Sequence, residues 1–119
     1  MSAVFADLSI SLDGCIAGPN AKPGNPLGDG GERLHDWMTV LASWREAHGS
    51  SGGDRTADDD LVRHTIQRTG AHIMGRKMFD EGERVWGENA PFHTSVFVVT
   101  HRAREPWVRQ GGTTFFFVT

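Results

Sequence analysis

Apolar and polar residues alternate at the start of the chain. Val4, Ala6, Leu8, Ile10 and Leu12 are apolar, with Asp7, Ser9 and Ser11 between them. A period of two predicts a strand with one buried face and one small, polar face of the kind that borders a cleft. The next stretch, "DGCIAGPNAKPGNPLGDGG", is dense in Gly, Pro and Asn and predicts a long loop, a length common among functional or mobile segments. Helical spacing then returns in "DGGERLHDWMTVLASWREAHG", where Leu34, Trp37, Met38, Leu41 and Trp44 fall on one face. That spacing places Trp37 and Trp44 in the core. Asp29 and Glu32 fit a capping box, and Gly49 is a plausible stop.

A flexible connector, Gly49 to Asp60, leads to a second helix, "DLVRHTIQRTG". Asp58 or Asp59 would cap it, with Leu61, Val62, Thr65 and Ile66 facing inward and Gly70 ending it. "AHIM", Ala71 to Met74, is a short buried strand, and "RKMFDEGERVWG" a short helix and turn. "SVFVVTHR" is nearly continuous in apolar residues, as expected of a strand covered on both faces. "TTFFFVT" predicts a last strand. The order of strand, loop, two helices, strand, helix and two strands predicts an α/β fold with a mainly parallel sheet.

The chain has 119 residues, which fits one domain with one core. It carries 38% hydrophobic and 23% charged residues and a formal net charge of -3. A balance that is slightly acidic argues against general nucleic-acid binding, which needs a basic face. Cys15 is the one cysteine, so no intrachain disulfide forms, and a reducing, cytoplasmic setting is the simplest reading. Cys15 itself reads as a packing residue. The first residues lack the pattern of a signal peptide, and no apolar run reaches the ~20 residues of a membrane span. The six histidines are scattered without metal-ligand spacing, so no metal is expected.

Candidate chemistry begins at "IMGRK". A strand passing into a helix points free backbone N–H groups outward, and Gly75, Arg76 and Lys77 stand at that point. Amides at the positive end of a helix dipole, with two added cations, suit a phosphate. The same residues also fit a solvated turn. A second strand end, "VVTHR", offers the hydroxyl of Thr100 and the guanidinium of Arg102. In open α/β sheets ligands sit in the crevice at these ends, and a hydroxyl with a guanidinium can hold a phosphate monoester. The alternative is a capped strand end with a solvated Arg. The third motif, "SLDGCIAG", opens a loop that can act as a lid or lie on the surface without a role.

"SLDGCIAG", "MGRKMFDEG" and "VFVVTHR", in this order, resemble the dihydrofolate reductase-like superfamily. The branch they resemble is that of riboflavin biosynthesis, represented by the reductase domain of the bifunctional deaminase-reductase. "NPLGDGGERLHDWM" and "REPWVRQGGTTFFFVT" are similar to its stand-alone bacterial members. The resemblance covers nearly the whole chain and implies one such domain over residues 1–119. It implies an NADPH-dependent reductase that passes a hydride to a small heterocyclic or sugar-linked substrate, pterin- or pyrimidine-like. By this likeness Gly75, Arg76, Lys77 and Met78 cradle the cofactor phosphates, and Thr100, His101 and Arg102 meet the adenosine 2′-phosphate. Ser9 lies near the nicotinamide, and Ile16, Ala17 and Gly18 belong to the loop that covers it.

Two departures from the family pattern bear on function. Dihydrofolate reductases place an acid at the start of the first helix. Here Leu34 stands nearest that place and Asp36 close by, which points away from dihydrofolate itself. Asp13 and Asp36 remain the candidate proton donors. The family fold also continues beyond the point matching Thr119, so the domain is expected to be C-terminally incomplete, with an exposed sheet edge. Three consecutive phenylalanines, Phe115 to Phe117, put aromatics on both sheet faces and, with the resemblance, lead to the expectation of a homodimer. A reading from another class is a non-catalytic half-domain that binds nucleotide weakly or serves only as an interaction module.

Overall fold

The computed structural model describes residues 2–119. Its regular part is an α/β unit built on a four-stranded, mostly parallel sheet. Strand β1 (Ala71–Gly75) runs directly into helix α4 (Arg76–Trp86), followed by β2 (Ser95–Val99), β3 (Trp107–Val108) and β4 (Thr114–Val118). The sheet order is β1-β2-β4-β3, with β1, β2 and β4 parallel and β3 antiparallel to β4. Three of these strands and the helix between β1 and β2 match the sequence reading. The two-residue β3 was not expected there.

Alternation within each strand decides which face is covered. Met74, Val96, Val98 and Phe115 point to one face, and all four are buried. Helix α4 closes this face with Phe79, which is 0% exposed. The ring of Phe79 meets Phe117, Phe115 and Trp107 edge-on at centroid distances of 5.0, 5.4 and 5.8 Å. Edge-to-face contact suits the ring quadrupole. Trp86, Phe92, Trp107 and Phe117 complete the cluster. Trp86 and Trp107 are therefore core-packing residues, whereas Trp37 and Trp44, which the sequence placed in the core, are 44% exposed and only half-buried. The opposite sheet face is open, with Ile73 67%, Phe97 37% and Val99 57% exposed. The apolar run of β2 is thus covered on one face, not two.

The N-terminal half departs further from expectation. Residues 3–11 form no strand despite their alternation. Val4, Leu8 and Leu12 are among the most exposed apolar residues of the chain. A strand requires a neighbour to take its N–H and C=O groups, and among the described residues none lies alongside. Phe5 instead sits beneath the Arg68 guanidinium at 3.9 Å, and Trp37 Nε1 donates to Ser9 Oγ at 3.3 Å.

The single long helix expected from Asp29 breaks into a 3-10 turn, Gly31–His35, and two short helices, α1 (Asp36–Thr39) and α2 (Ala42–Ala47). Asp29 caps nothing, because Asn20 and Asn25 donate to its carboxylate at 2.8 and 2.9 Å. Gly30 takes the N-cap place with φ 73, a left-handed conformation that glycine adopts at little cost. Leu41 is extended, and Asp54 from the connector bonds the backbone on both sides of it, which tethers a segment expected to be free.

Helix α3 (Ala57–Arg68) is capped by Thr56, not by Asp58 or Asp59. Asp59 turns inward, 1% exposed, and accepts the Ser43 N–H at 2.7 Å. Of the residues expected to face inward, Leu61 and Ile66 are exposed, and Val62 and Thr65 are half-buried.

Candidate phosphate-binding site

The junction of β1 and α4 is where the sequence placed it. Gly75 has φ -80 and ψ 164, and no side chain caps the helix behind it. The first backbone N–H groups of α4 therefore lack a capping partner, at the positive end of an 11-residue helix. A Cβ added to Gly75 would meet no atom within 4 Å. With an ordinary φ and open space, nothing in the protein demands glycine here. Its absent side chain leaves the approach to these amides clear.

The parallel ladder brings the second strand end alongside. Gly75 pairs with Val99, and Val99 with Val118, so the residues that follow Gly75 and Val99 emerge together. Thr100 is buried, and its N–H donates to Val118 O at 2.9 Å. Its hydroxyl accepts the Arg102 backbone N–H at 3.1 Å and lies 3.4 Å from Arg76 Nη1. One hydroxyl thus fixes the approach of both arginines.

A cleft of about 330 Å³ opens at this point, lined by Arg76, Lys77, Asp80, Glu81 and Arg102, with Lys22 reaching in from the long loop beside Ala21 and Pro23. That volume is at the low end of the roughly 300–1,000 Å³ usual for small-molecule pockets. It suits the phosphate-bearing part of a ligand better than a whole dinucleotide. Arg76 Nε donates to Asp80 Oδ1 at 2.7 Å and Arg102 Nη2 to Asp80 Oδ2 at 3.1 Å. Arg76 first, and Arg102 behind it, hold the Asp80 carboxyl below the usual carboxylate range. Lys77 pairs with Glu81.

Of the residues expected to bind cofactor, Arg76, Lys77 and Arg102 line the cleft, Gly75 opens onto the helix start, and Thr100 lies behind the arginines. Met78 and His101 are exposed and line no part of it. Ser9 is engaged with Trp37. Ile16 and Ala17 are exposed, and Gly18 is packed against Gly28 and Asp29 within the loop's own turn. It is the next stretch of the loop, Ala21 to Pro23, that reaches the cleft.

Neither candidate acid lies there. Asp13 accepts from the Ser11 hydroxyl, which together with its own backbone N–H lowers its pKa. A carboxyl held in its ionised form is a poor proton donor. Asp36 begins α1, exposed.

Sequence reasoning missed Asp80 and Lys22. Asp80 stands four residues after Arg76, the spacing of a helical ion pair, so that signal was present. Lys22 carries no local signal, because the fold of the loop brings it in. Among the described residues no group of three metal-ligating side chains occurs, and no helix is long and apolar enough to cross a membrane. No family model matches the chain, and no curated protein matches it.

Proposed function

We propose that this cleft binds the phosphate groups of a nucleotide, and that the nucleotide is NADPH. The observation that carries the reading is that Arg76 and Lys77, from the uncapped first turn of α4, and Arg102, from the end of β2, line one cleft. Guanidinium groups and helix amides are the donors that phosphate oxygens select. The residue set fits the phosphate end of the cofactor. The preference for NADPH, and membership of the dihydrofolate reductase-like superfamily in its riboflavin-biosynthesis branch, rest on the resemblance of "MGRKMFDEG" and "VFVVTHR".

On this reading the activity is reductive. NADPH supplies the hydride, and this chain's own residues bind and orient it. Thr100 sets the two arginines, the amides of α4 take the phosphate oxygens, and Lys22 closes the cleft from the loop. The substrate class implied by the resemblance is a small heterocyclic or sugar-linked molecule, pterin- or pyrimidine-like.

One observation favours a second reading, a nucleotide-binding or interaction module without its own catalysis. Neither Asp13 nor Asp36 lines the cleft, and Ser9, Ile16 and Ala17 do not gather into a nicotinamide pocket beside it.

Calorimetric titration of the chain with NADPH and with NADH tests the first step. Micromolar binding of NADPH, about tenfold or more weaker for NADH and for Arg76→Ala, is expected. A folded chain that binds neither nucleotide refutes the proposal. Binding without turnover across a panel of heterocyclic carbonyl and imine substrates selects the module.

A further inference from the structure

The cleft already contains an anion of its own. Asp80 places one carboxylate oxygen on Arg76 Nε and the other on Arg102 Nη2, at 2.7 and 3.1 Å. Both guanidinium groups are thereby engaged, one from the helix and one from the end of β2. The other acid at the cleft, Glu81, is taken by Lys77. Four cations, Lys22, Arg76, Lys77 and Arg102, face the two acids Asp80 and Glu81. The cleft therefore retains two positive charges after its internal pairs are counted.

We infer that Asp80 sets the affinity of the cleft, as an internal competitor that an incoming anion must displace from the two arginines. The inference rests on the phosphate-binding reading above. Every incoming anion bears the same cost of freeing the arginines, and the displaced carboxylate, still ionised nearby, repels a doubly charged anion more than a singly charged one. A phosphate monoester, close to doubly charged at neutral pH, is the preferred anion because it matches the two uncompensated charges. The Asp80 side chain is 34% exposed, so once displaced it can turn to water and stay ionised. Asp80 thereby lowers the affinity of the cleft for every anion without touching the ligand that binds.

The test compares adenosine 2′-monophosphate with adenosine 2′,3′-cyclic phosphate, a monoester and a singly charged diester on one nucleoside. Their affinities are measured at fixed ionic strength for the native chain and for Asp80→Asn. The native chain is expected to prefer the monoester by about tenfold or more, from one extra charge at a partly screened site. Asp80→Asn is expected to bind both probes more tightly, the doubly charged monoester gaining more, by about tenfold or more, so that the preference is kept or widened. Asp80→Ala carries the same expectation if the amide forms new bonds to the arginines. Unchanged or weaker binding of both probes, or a preference that falls, overturns the inference and makes Asp80 a support for the arginines, with the phosphate-binding reading intact. Binding of neither probe by native and variant chains that remain folded overturns both.

Discussion

Phe79 is the residue on which the fold's asymmetry is most directly tested. It is 0% exposed and holds α4 to the sheet through Phe115, Phe117 and Trp107. Burying a side chain of this size stabilises by roughly 1.5–3 kcal/mol, and the unfilled cavity left by truncation raises the cost of Phe→Ala to about 3–5 kcal/mol. A domain of this size has about 5–15 kcal/mol in total. Phe79→Ala therefore removes a large part of the stability and Phe79→Leu less. Ile73, on the opposite face and 67% exposed, gives the control. Ile73→Ala is expected to stay within about 0.5 kcal/mol. The assay is urea unfolding followed by tryptophan fluorescence, since Trp86 and Trp107 lie in the same cluster. A loss under about 1 kcal/mol for Phe79→Ala, or above about 2 kcal/mol for Ile73→Ala, would refute the assignment of covered and open faces.

Two further substitutions probe the same core. A Cβ at Gly82 would lie 2.2 Å from the Trp86 ring. Gly82→Ala gains about 1 kcal/mol of helix propensity, but displacing Trp86 from its stacked contact with Phe115 costs about 1–3 kcal/mol. The expected result is a net loss with altered tryptophan emission, and a stabilised variant with native emission would contradict the packing. His72 is half-buried, with Nδ1 2.7 Å from Thr94 Oγ1, and burial lowers its pKa from 6.5. Its folded-state pKa lies below the unfolded one, so its contribution is present above about pH 6.5 and is lost as pH falls from there through the folded value. The urea midpoint should be lower at about pH 5 than at about pH 7.5, and the difference should shrink in His72→Gln. An equal pH dependence in the variant would assign the effect to other groups.

How much of this was legible in the sequence depends on whether the signal was local. Strands β1, β2 and β4 and helix α4 follow from short apolar runs and from the Gly-Arg-Lys step between them. Trp86 was legible in principle, since it lies seven residues after Phe79 on one helical face. The tie of Asp59 to Ser43 was not, because 16 positions separate them and only the packing of α2 on α3 joins them. The N-terminal alternation shows the opposite failure. Val4 to Leu12 has the pattern of a strand, but the pattern is only half of the requirement, and among the described residues no neighbouring backbone supplies the rest. Likewise, the run in β2 gave its strand character correctly but said nothing of what would cover its second face.

The candidate site is set by register as much as by the identity of its residues. Met74, Val98 and Phe117 stand side by side across three parallel strands, all facing the helix that carries Arg76. This apolar row and the row below it, Val96 with His72 and Phe115, leave the strands one compatible alignment. A slip of one residue between β1 and β2 would turn Val96 and Val98 outward and expose Phe97 to the core. It would also move Thr100 by about 3.3 Å along the strand, out of reach of Arg76 Nη1. Thr100 Oγ1 could not then hold the Arg102 backbone beside Arg76, and Asp80 could not bridge the two guanidinium groups. The arrangement of charges at the cleft thus depends on hydrophobic packing several residues away. Disturbing Phe79, one turn along α4 from Arg76, should therefore weaken phosphate binding in parallel with stability, before any charged residue is changed.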